Sequence, residues 1–343
     1  MAALSAAARR LRVCNQRHVP VIAVSTVYRP PSVVPPPAVI PRRALGRTGE
    51  YVSALGLGGY HLGLVGTERE ATRIVHEAIE SGLTFMDNAW EYHEGKSEER
   101  MGKALAGRRD RVFLMTKCCT HGRDAKTAMR LLDESLRRLK TDYLDLWQLH
   151  EVAYHNDPER HFAKGGAIEA LERAKRQGKV RFIGFTGHKD PALHLRMLSY
   201  DFPFDTVQMP LNCFDAMFRS FEHQVLPELL RRGIAPIGMK SLGGEGDAVK
   251  RRIVSAREGL RYAMSLDVAT TVSGIDSLRV LHQNLRVARG FERMTPEEMH
   301  ALRTRCAAPA ADGRFELYKV TAKHEGEVGR KQHGFPPMEE VEA

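Results

Sequence analysis

The stretch that decides the fold is "RVFLMTKCCTHGRDAKTAMRLLDESLRRLKTDYLDLWQLH", residues 111–150. Each end is a short run of valine, leucine and aromatic residues, a composition that favours β-strands. The middle repeats leucines at helical spacing, namely Leu131, Leu132, Leu136 and Leu139. A strand, a helix and a second strand in this order predict two parallel strands joined by a right-handed crossover.

The alternation of strand and helix extends in both directions along the chain. We count eight such units, with strands predicted at residues 54–59, 83–87, 111–117, 142–150, 179–186, 204–209, 234–240 and 269–274. Eight units predict an α/β protein of the (β/α)8 TIM-barrel class. A doubly wound open sheet is the alternative, but the glycine fingerprint GxGxxG does not follow the first strand.

The regions outside the eight units divide the chain into three predicted parts. Residues 1–40 form a disordered or targeting extension, because they hold no acid, several arginines and a proline run that cannot join a packed core. An upstream stretch wrongly included in the reading frame explains this part equally well. Residues 41–307 form the barrel, with a β-hairpin in "RRALGRTGEYVSAL" before it and a last helix. Residues 308–343 form a C-terminal tail, where Phe315 and Tyr318 favour docking on the barrel over a free tail.

Charge, hydropathy and cysteine usage exclude several classes of protein. The net charge is +10, but residues 1–50 hold eight arginines and one acid, so the other 293 residues carry only +3. This nearly neutral body gives no reason to expect a nucleic-acid partner, and no run of eighteen apolar residues predicts a membrane helix. The five cysteines match no metal signature and predict free thiols in a reducing compartment. We expect the cytoplasm, with organelle import through the arginine-rich N-terminus as the alternative, and the oligomeric state stays open.

Four chemically active side chains fall at or just after the ends of adjacent predicted strands. Asp87, Lys117 and His150 end the second, third and fourth strands, and Tyr92 follows in the loop after Asp87. Each residue alone is ordinary, as a solvated lysine or a structural histidine would be. In a (β/α)8 barrel, however, the carboxyl ends of the strands carry the active site. We therefore expect these four side chains to converge.

These four side chains together have a specific chemistry. A nearby ammonium lowers the pKa of a tyrosine, and a carboxylate keeps that ammonium charged and in place. A histidine donates a hydrogen bond to a carbonyl oxygen. The set therefore polarises a carbonyl and gives it a proton, but none of the twenty side chains supplies the hydride. A nicotinamide cofactor is implied.

From about Pro41 to Ala288, the sequence resembles the aldo-keto reductase family. The segment "MDNAWEYHEGKSEERMGKAL" is similar to the family's Asp-x4-Tyr-Gly signature, and "MTK", "DYLDLWQLH", "GKVRFIGFTG" and "VQMPLN" follow in family order. The resemblance implies that Tyr92 is the general acid and Lys117 its pKa partner. It also implies that Asp87 is the counter-ion of the lysine and that His150 orients the carbonyl.

The resemblance also implies a set of cofactor-binding residues. The set comprises Gly58, Gly59, Thr186, Gln208, Met239, Lys240, Ser241, Leu242, Gly243, Gly274, Ser277, Gln283 and Asn284. Relatives usually have Ser-Asn where this chain has Thr186-Gly187, so His188 or the backbone is expected to replace the asparagine. NADP is expected by family prevalence, with Arg279 as a candidate partner of its 2′-phosphate. NAD is the alternative, because Asp276 would repel a phosphate.

The substrate is expected to be a small carbonyl compound, an aldehyde or a ketone. Tyr60, Trp90 and His121 are candidate walls of its pocket, and packing at the barrel rim is the alternative for Tyr60 and Trp90. An NAD(P)H-dependent reductase with Tyr92 as general acid is the function that these residues favour. The alternative is a cofactor-binding regulatory subunit on the same barrel, resembling the potassium-channel β subunits of the family.

Overall fold

A computed structural model describes residues 39–119, 124–321, 324–332 and 334–340 of the chain. The predicted extension therefore lies almost wholly outside the described residues. His121, predicted to line the substrate pocket, also lies outside them.

Eight parallel strands close into a barrel. They are β3 (Leu55–Gly58), β4 (Phe85–Asp87), β5 (Phe113–Cys119), β6 (Leu144–His150), β7 (Val180–Thr186), β8 (Thr206–Pro210), β9 (Ala235–Met239) and β10 (Thr270–Gly274). The strands pair in chain order, and β10 pairs with β3 through Thr271 opposite Leu55. The (β/α)8 barrel predicted from the sequence is confirmed, and the doubly wound alternative is wrong.

An antiparallel hairpin covers the amino end of the barrel. Its strands are β1 (Arg42–Ala44) and β2 (Tyr51–Ser53), as the sequence predicts. Leu45 and Val52 are fully buried against Phe85 and Phe113, which are the first residues of β4 and β5. Because apolar side chains fill this end, the opposite end of the barrel is left for the site.

Helices follow the strands and pack their apolar faces on the outside of the barrel. They are α1 (Gly59–Leu64), α2 (Glu68–Glu80), α3 (Lys96–Ala104), α4 (Ala125–Leu139), α5 (Asp157–Phe162), α6 (Ala167–Arg176), α7 (Pro191–Leu198), α8 (Phe221–Gln224), α9 (Leu226–Arg232), α10 (Asp247–Lys250), α11 (Ala256–Ser265) and α12 (Leu278–Arg289). In α2, for example, Ala71, Ile74 and Ala78 are buried, on one face of the helix. Four short helices, α1, α5, α8 and α10, lie in loops and have no separate signal in the sequence.

Three further helices follow the barrel, namely α13 (Pro296–Ala310), α14 (Leu317–Val320) and α15 (Glu327–Gln332), and a 3-10 turn spans Met338–Glu340. A capping box between Thr295 and Glu298 begins α13. The helix continues through Pro309 to Ala310, three residues beyond the boundary predicted at residue 307. We call residues 311–321, 324–332 and 334–340 the C-terminal segment. Within the described ranges, no helix combines the length and apolar character that a bilayer span requires.

Candidate active site

Three of the four predicted catalytic residues meet where β4, β5 and β6 end. Asp87 ends β4, His150 ends β6, and Lys117 lies two residues before the end of β5. Lys117 Nζ donates to Asp87 Oδ2 at 2.7 Å and to the Asn88 carbonyl oxygen at 2.8 Å. The Lys117 side chain is 1% exposed, so this ion pair is formed in the barrel interior. Burial lowers the pKa of Lys117, and the Asp87 charge opposes that shift.

Tyr92, the fourth residue, lies in the loop after β4 and is partly buried. The two residues after it have positive φ angles, 52° at His93 and 57° at Glu94, which turn the chain sharply. The ring of Tyr92 is 5.8 Å from that of His150, and Lys117 Nζ is 5.2 Å from the Tyr92 ring centre. The structure thus brings all four predicted residues together.

The electrostatics of Tyr92 differ from the sequence-based expectation. A lysine partner was expected to lower the pKa of the phenol. Instead, burial raises the pKa of Tyr92 well above its ordinary value of 10.0, and the charges of Asp87, Glu91 and Glu151 raise it further. Lys117 already has Asp87 as its ion-pair partner, so its positive charge is offset next to the ring. Tyr92 is therefore held as the neutral phenol, the form that a general acid needs.

Gln208, predicted to hold the nicotinamide amide, is joined directly to the catalytic group. Its Nε2 donates to Asp87 Oδ2 at 3.0 Å, the same oxygen that accepts from Lys117. Its Oε1 is buried and has no hydrogen-bond partner among the described residues. An open acceptor at this position fits an amide donor from a bound ligand.

Thr186 ends β7 and Gly187 follows it, and the structure explains the missing asparagine. A Cβ at Gly187 would lie 2.5 Å from the Val152 carbonyl oxygen, so no side chain fits there. His188, expected as a replacement, is buried and its Nε2 lies 2.7 Å from Glu151 Oε2. Its Nδ1 has no partner in the described part of the chain and is left for a ligand.

The predicted pyrophosphate loop follows β9 directly. Met239 ends the strand, and Lys240 has a φ of 55°, so the chain turns at this point. Ser241 is buried, Leu242 is partly buried, and Gly243 N donates to the Lys240 carbonyl at 2.9 Å. Burial lowers the pKa of Lys240, and the charges of Glu151 and Glu245 oppose that shift. Among the described residues, neither these carboxylates nor any other lies within ion-pair distance of its Nζ. An ammonium in this state fits an anionic ligand.

The last predicted cofactor loop lies between β10 and α12. Gly274 ends β10, Ser277 caps α12, and Asn284 Nδ2 donates to Ser273 Oγ at 3.0 Å. Gln283 is partly buried on the same helix. Gly58 and Gly59 lie on the neighbouring strand β3 and at the start of α1, where a Cβ at Gly59 would lie 2.6 Å from the Asp87 carbonyl oxygen.

The two described candidates for the substrate pocket have different positions. Tyr60 is 49% exposed on α1, and its ring meets that of Tyr92 edge to face at 5.4 Å. Trp90 is turned away, because its Nε1 donates to Glu134 Oε2 at 2.8 Å and Arg138 lies over its ring. The indole packs on α4, which favours the alternative of packing at the barrel rim, and a pocket-lining role of Trp90 stays a prediction.

The C-terminal segment lies across the site. A Cβ at Gly243 would lie 2.3 Å from the Phe315 carbonyl oxygen, and Lys240 Nζ is 4.9 Å from the Tyr318 ring centre. Further along, Gly326 N donates to Glu151 Oε1 at 3.0 Å. The segment therefore contacts both the loop after β9 and the residue that follows His150.

Two ion clusters, one of them fully buried, fasten this segment to the barrel. In the Lys319 cluster, Lys319 Nζ lies 2.6 Å from Asp215 Oδ1 and 2.8 Å from Glu316 Oε2, and all three side chains are at most 1% exposed. In the Glu325 cluster, Glu325 pairs with Lys189 at 2.8 Å and with Arg330 at 2.7 Å. Tyr154 also donates its hydroxyl to Glu325. A segment without regular periodicity is thus held by charge pairs.

Two carboxylates near the four predicted catalytic residues have no assigned role in the sequence-based prediction. Glu91 Oε1 lies 2.8 Å from His150 Nδ1, and Glu151 holds His188 as described above. Their positions in the sequence could have identified them, because Glu91 directly precedes Tyr92 and Glu151 directly follows His150. Charged side chains beside a general acid are candidates for tuning it.

This barrel, with its tyrosine, lysine, aspartate and histidine at adjacent strand ends, defines an oxidoreductase of the (β/α)8 class. The profile described as "Aldo/keto reductase family" matches residues 54–259. The chain belongs to the aldo/keto reductase family.

Named relatives agree with this assignment. The chain is 26% identical over 306 residues to the uncharacterized oxidoreductase YqkF of Bacillus subtilis (strain 168), covering 77% of this chain and 95% of that protein. It is 34% identical over 214 residues to the L-galactose dehydrogenase of Arabidopsis thaliana, covering 58% of this chain and 65% of that one. A crystal structure of an aldo/keto reductase from Klebsiella pneumoniae in complex with NADP and acetate is 25% identical, with a TM-score of 0.63, covering 77% and 95% of the two chains.

Proposed function

We propose that this protein reduces the carbonyl group of a small aldehyde or ketone to an alcohol, with NADPH as the reductant and Tyr92 as the general acid. The observation that carries the proposal is the arrangement around Tyr92. A buried ion pair between Lys117 and Asp87 lies beside a phenol that burial keeps protonated, and the His150 ring is next to it.

In the proposed mechanism each of the four catalytic side chains has a separate role. The reduced nicotinamide, when bound, supplies a hydride to the carbonyl carbon. Tyr92 gives its proton to the carbonyl oxygen, and His150 donates a hydrogen bond that orients that oxygen. Lys117 stabilises the phenolate left on Tyr92, and Asp87 holds the ammonium in place through their 2.7 Å contact.

The cofactor assignment rests on groups that have no protein partner among the described residues. Gln208 Oε1 and His188 Nδ1 are buried acceptors close to the catalytic residues and would hold the nicotinamide amide. Lys240 would pair with the pyrophosphate, because its ammonium has no carboxylate partner there. Gly274, Ser277, Gln283 and Asn284 would line the adenosine end.

The substrate class and compartment are the finer parts of the proposal. The similarity to an L-galactose dehydrogenase puts sugars beside simple aldehydes and ketones as first candidates. We place the protein in the cytoplasm, because Cys118, Cys213 and Cys306 form no disulfide among the described residues. The regulatory-subunit alternative is not favoured, because the relatives named above are dehydrogenases, oxidoreductases and reductases.

Consumption of NADPH, followed against a panel of aldehydes, ketones and sugars, tests the proposed function. We expect saturable oxidation of NADPH with at least one member of the panel and formation of the matching alcohol. If NADPH binds but no carbonyl compound is reduced, the protein is a cofactor-binding protein and the proposal is wrong.

The cofactor preference gives a second expected result. We expect kcat/KM with NADPH to exceed kcat/KM with NADH, because Arg279 offers a cation near the adenosine end. Asp276 in the same loop opposes this preference, so Asp276→Asn should raise the ratio further by removing the repulsion of the 2′-phosphate. The measurement is the ratio of the two values for wild type and variant. A wild-type ratio well below one would contradict the assignment.

A further inference from the structure

Glu91 occupies a central position that the proposed mechanism does not use. It lies in the loop after β4, directly before Tyr92, and its Oε1 is 2.8 Å from His150 Nδ1. The two side chains are only 9% and 10% exposed. The contact is close but is not a hydrogen bond, since His150 Nδ1 has no hydrogen-bond partner among the described residues. A carboxylate this close to the imidazole restricts how the ring turns.

The loop holds the Glu91 backbone firmly on both sides. Trp90 N donates to the Lys117 carbonyl at 3.0 Å, while the Trp90 indole is bound to Glu134. Tyr92 N donates to the Ala89 carbonyl at 3.2 Å. Because both neighbours are held, the backbone position of Glu91 beside His150 is set by the fold.

The C-terminal segment closes the space on the other side of the carboxylate. A Cβ at Gly326 would lie 2.4 Å from Glu91 Oε2 and 2.7 Å from Glu91 Cδ. Glycine is the only residue that fits this approach without moving the carboxylate. Glu91 is therefore packed between His150 and Gly326.

We propose that Glu91 is a positioning residue for His150. Its carboxylate lies against the Nδ1 side of the imidazole and limits the rotation of the ring, which sets the position of Nε2 at the opposite side of the ring. The inference rests on the proposed function, since it assigns a partner to the same carbonyl-orienting histidine.

Glu91 also acts on the general acid through its charge. Several charged or titratable groups face Tyr92, and they are Asp87 from β4, Lys117 from β5, His150 and Glu151 from the end of β6, Tyr60 from α1 and Glu91 from the same loop. The Glu91 charge is one of those that raise the pKa of Tyr92. Removing it lowers that pKa, so the phenol loses its proton at a lower pH than in the wild type.

The test compares Glu91→Gln with Glu91→Asp and with Glu94→Gln, an exposed glutamate three residues away, as the matched control. For Glu91→Gln we expect kcat to fall by about 10-fold or more, part of the ~10²–10⁴-fold that general acid catalysis contributes. KM for NADPH should not change. The alkaline limb of the kcat profile should move to lower pH, Glu91→Asp should recover part of kcat, and Glu94→Gln should match the wild type.

A second variant and a second readout keep the inference independent of activity. Gly326→Ala pushes the carboxylate away from His150 and should lower kcat in the same direction. The imidazole ¹⁵N resonances of His150, assigned by their loss in His150→Asn, should change in Glu91→Gln and Gly326→Ala even if no substrate has been found. Unchanged His150 resonances in both variants would overturn the inference. A loss of kcat with an unmoved alkaline limb and no recovery in Glu91→Asp would also overturn it.

Discussion

Replacing Tyr92 by phenylalanine is expected to lower kcat for carbonyl reduction by about 10²–10⁴-fold, the usual contribution of a general acid. The substitution removes the only atom that carries the transferred proton and leaves the ring in place against Tyr60 and His150. Binding of NADPH should be retained, because Gln208, Lys240 and the loop after β10 are unchanged. Steady-state kinetics and a fluorescence titration with NADPH measure the two effects separately.

The control for this substitution is Tyr51→Phe, a tyrosine on the hairpin that is 58% exposed and far from the strand ends that carry the site. It should keep wild-type kcat. Because burial raises the pKa of Tyr92 well above 10.0, its proton is present at all pH values below that range. Wild-type reduction should therefore not lose activity through this tyrosine between pH 6 and 9. Equal activity of the wild type and Tyr92→Phe would refute the assigned mechanism.

Replacing Lys319 by methionine is expected to release the C-terminal segment. The side chain is 0% exposed and pairs with Asp215 and Glu316, so its loss leaves two carboxylates buried without their cation. Breaking a buried ion pair in this way costs about 3–5 kcal/mol. Lys319 Nζ also donates to the Phe218 carbonyl, and that acceptor loses its donor as well. Faster amide hydrogen exchange in residues 314–321 and 324–332 is the measurement.

Lys250→Met is the matched control for the Lys319 substitution. Lys250 pairs with Asp247 at 2.9 Å, but its side chain is 69% exposed, and such pairs contribute little to stability. We expect its exchange profile and denaturant midpoint to stay close to those of the wild type. If the C-terminal segment of Lys319→Met exchanged its amide hydrogens as slowly as that of Lys250→Met, the buried Lys319 cluster would not be what fastens the segment.

The barrel was predictable because its signals are local and repeated. Each strand is a short apolar run, each following helix shows its own spacing, and parallel strands must end on one side. Asp87 and His150 are the last residues of β4 and β6 in the structure, as the sequence predicts. That Asp87 and His150 lie close to Lys117 follows from the order of the strands in the barrel. This proximity can therefore be predicted without knowing which distant residues are in contact.

The features that were not predictable depend on partners distant in the sequence. The direction of the Trp90 indole is decided by Glu134, forty-four residues away. The pKa of Tyr92 depends on how burial and three carboxylates outweigh one lysine, which the spacing of residues does not reveal. Helix α14 has only four residues, too few for a periodic signal, and its place depends on Asp215 from the loop after β8.

A single oxygen atom, Asp87 Oδ2, accepts from both Lys117 Nζ and Gln208 Nε2. Equilibria that share an atom are thermodynamically linked, and linkage is reciprocal. On the proposed assignment, a nicotinamide amide that engages Gln208 changes the affinity of Lys117 for its proton. The protonation state of Lys117 then changes cofactor affinity by the same factor. On that assignment the catalytic group and the cofactor site form one coupled unit, and the affinity for NADPH is expected to change with the protonation of Lys117.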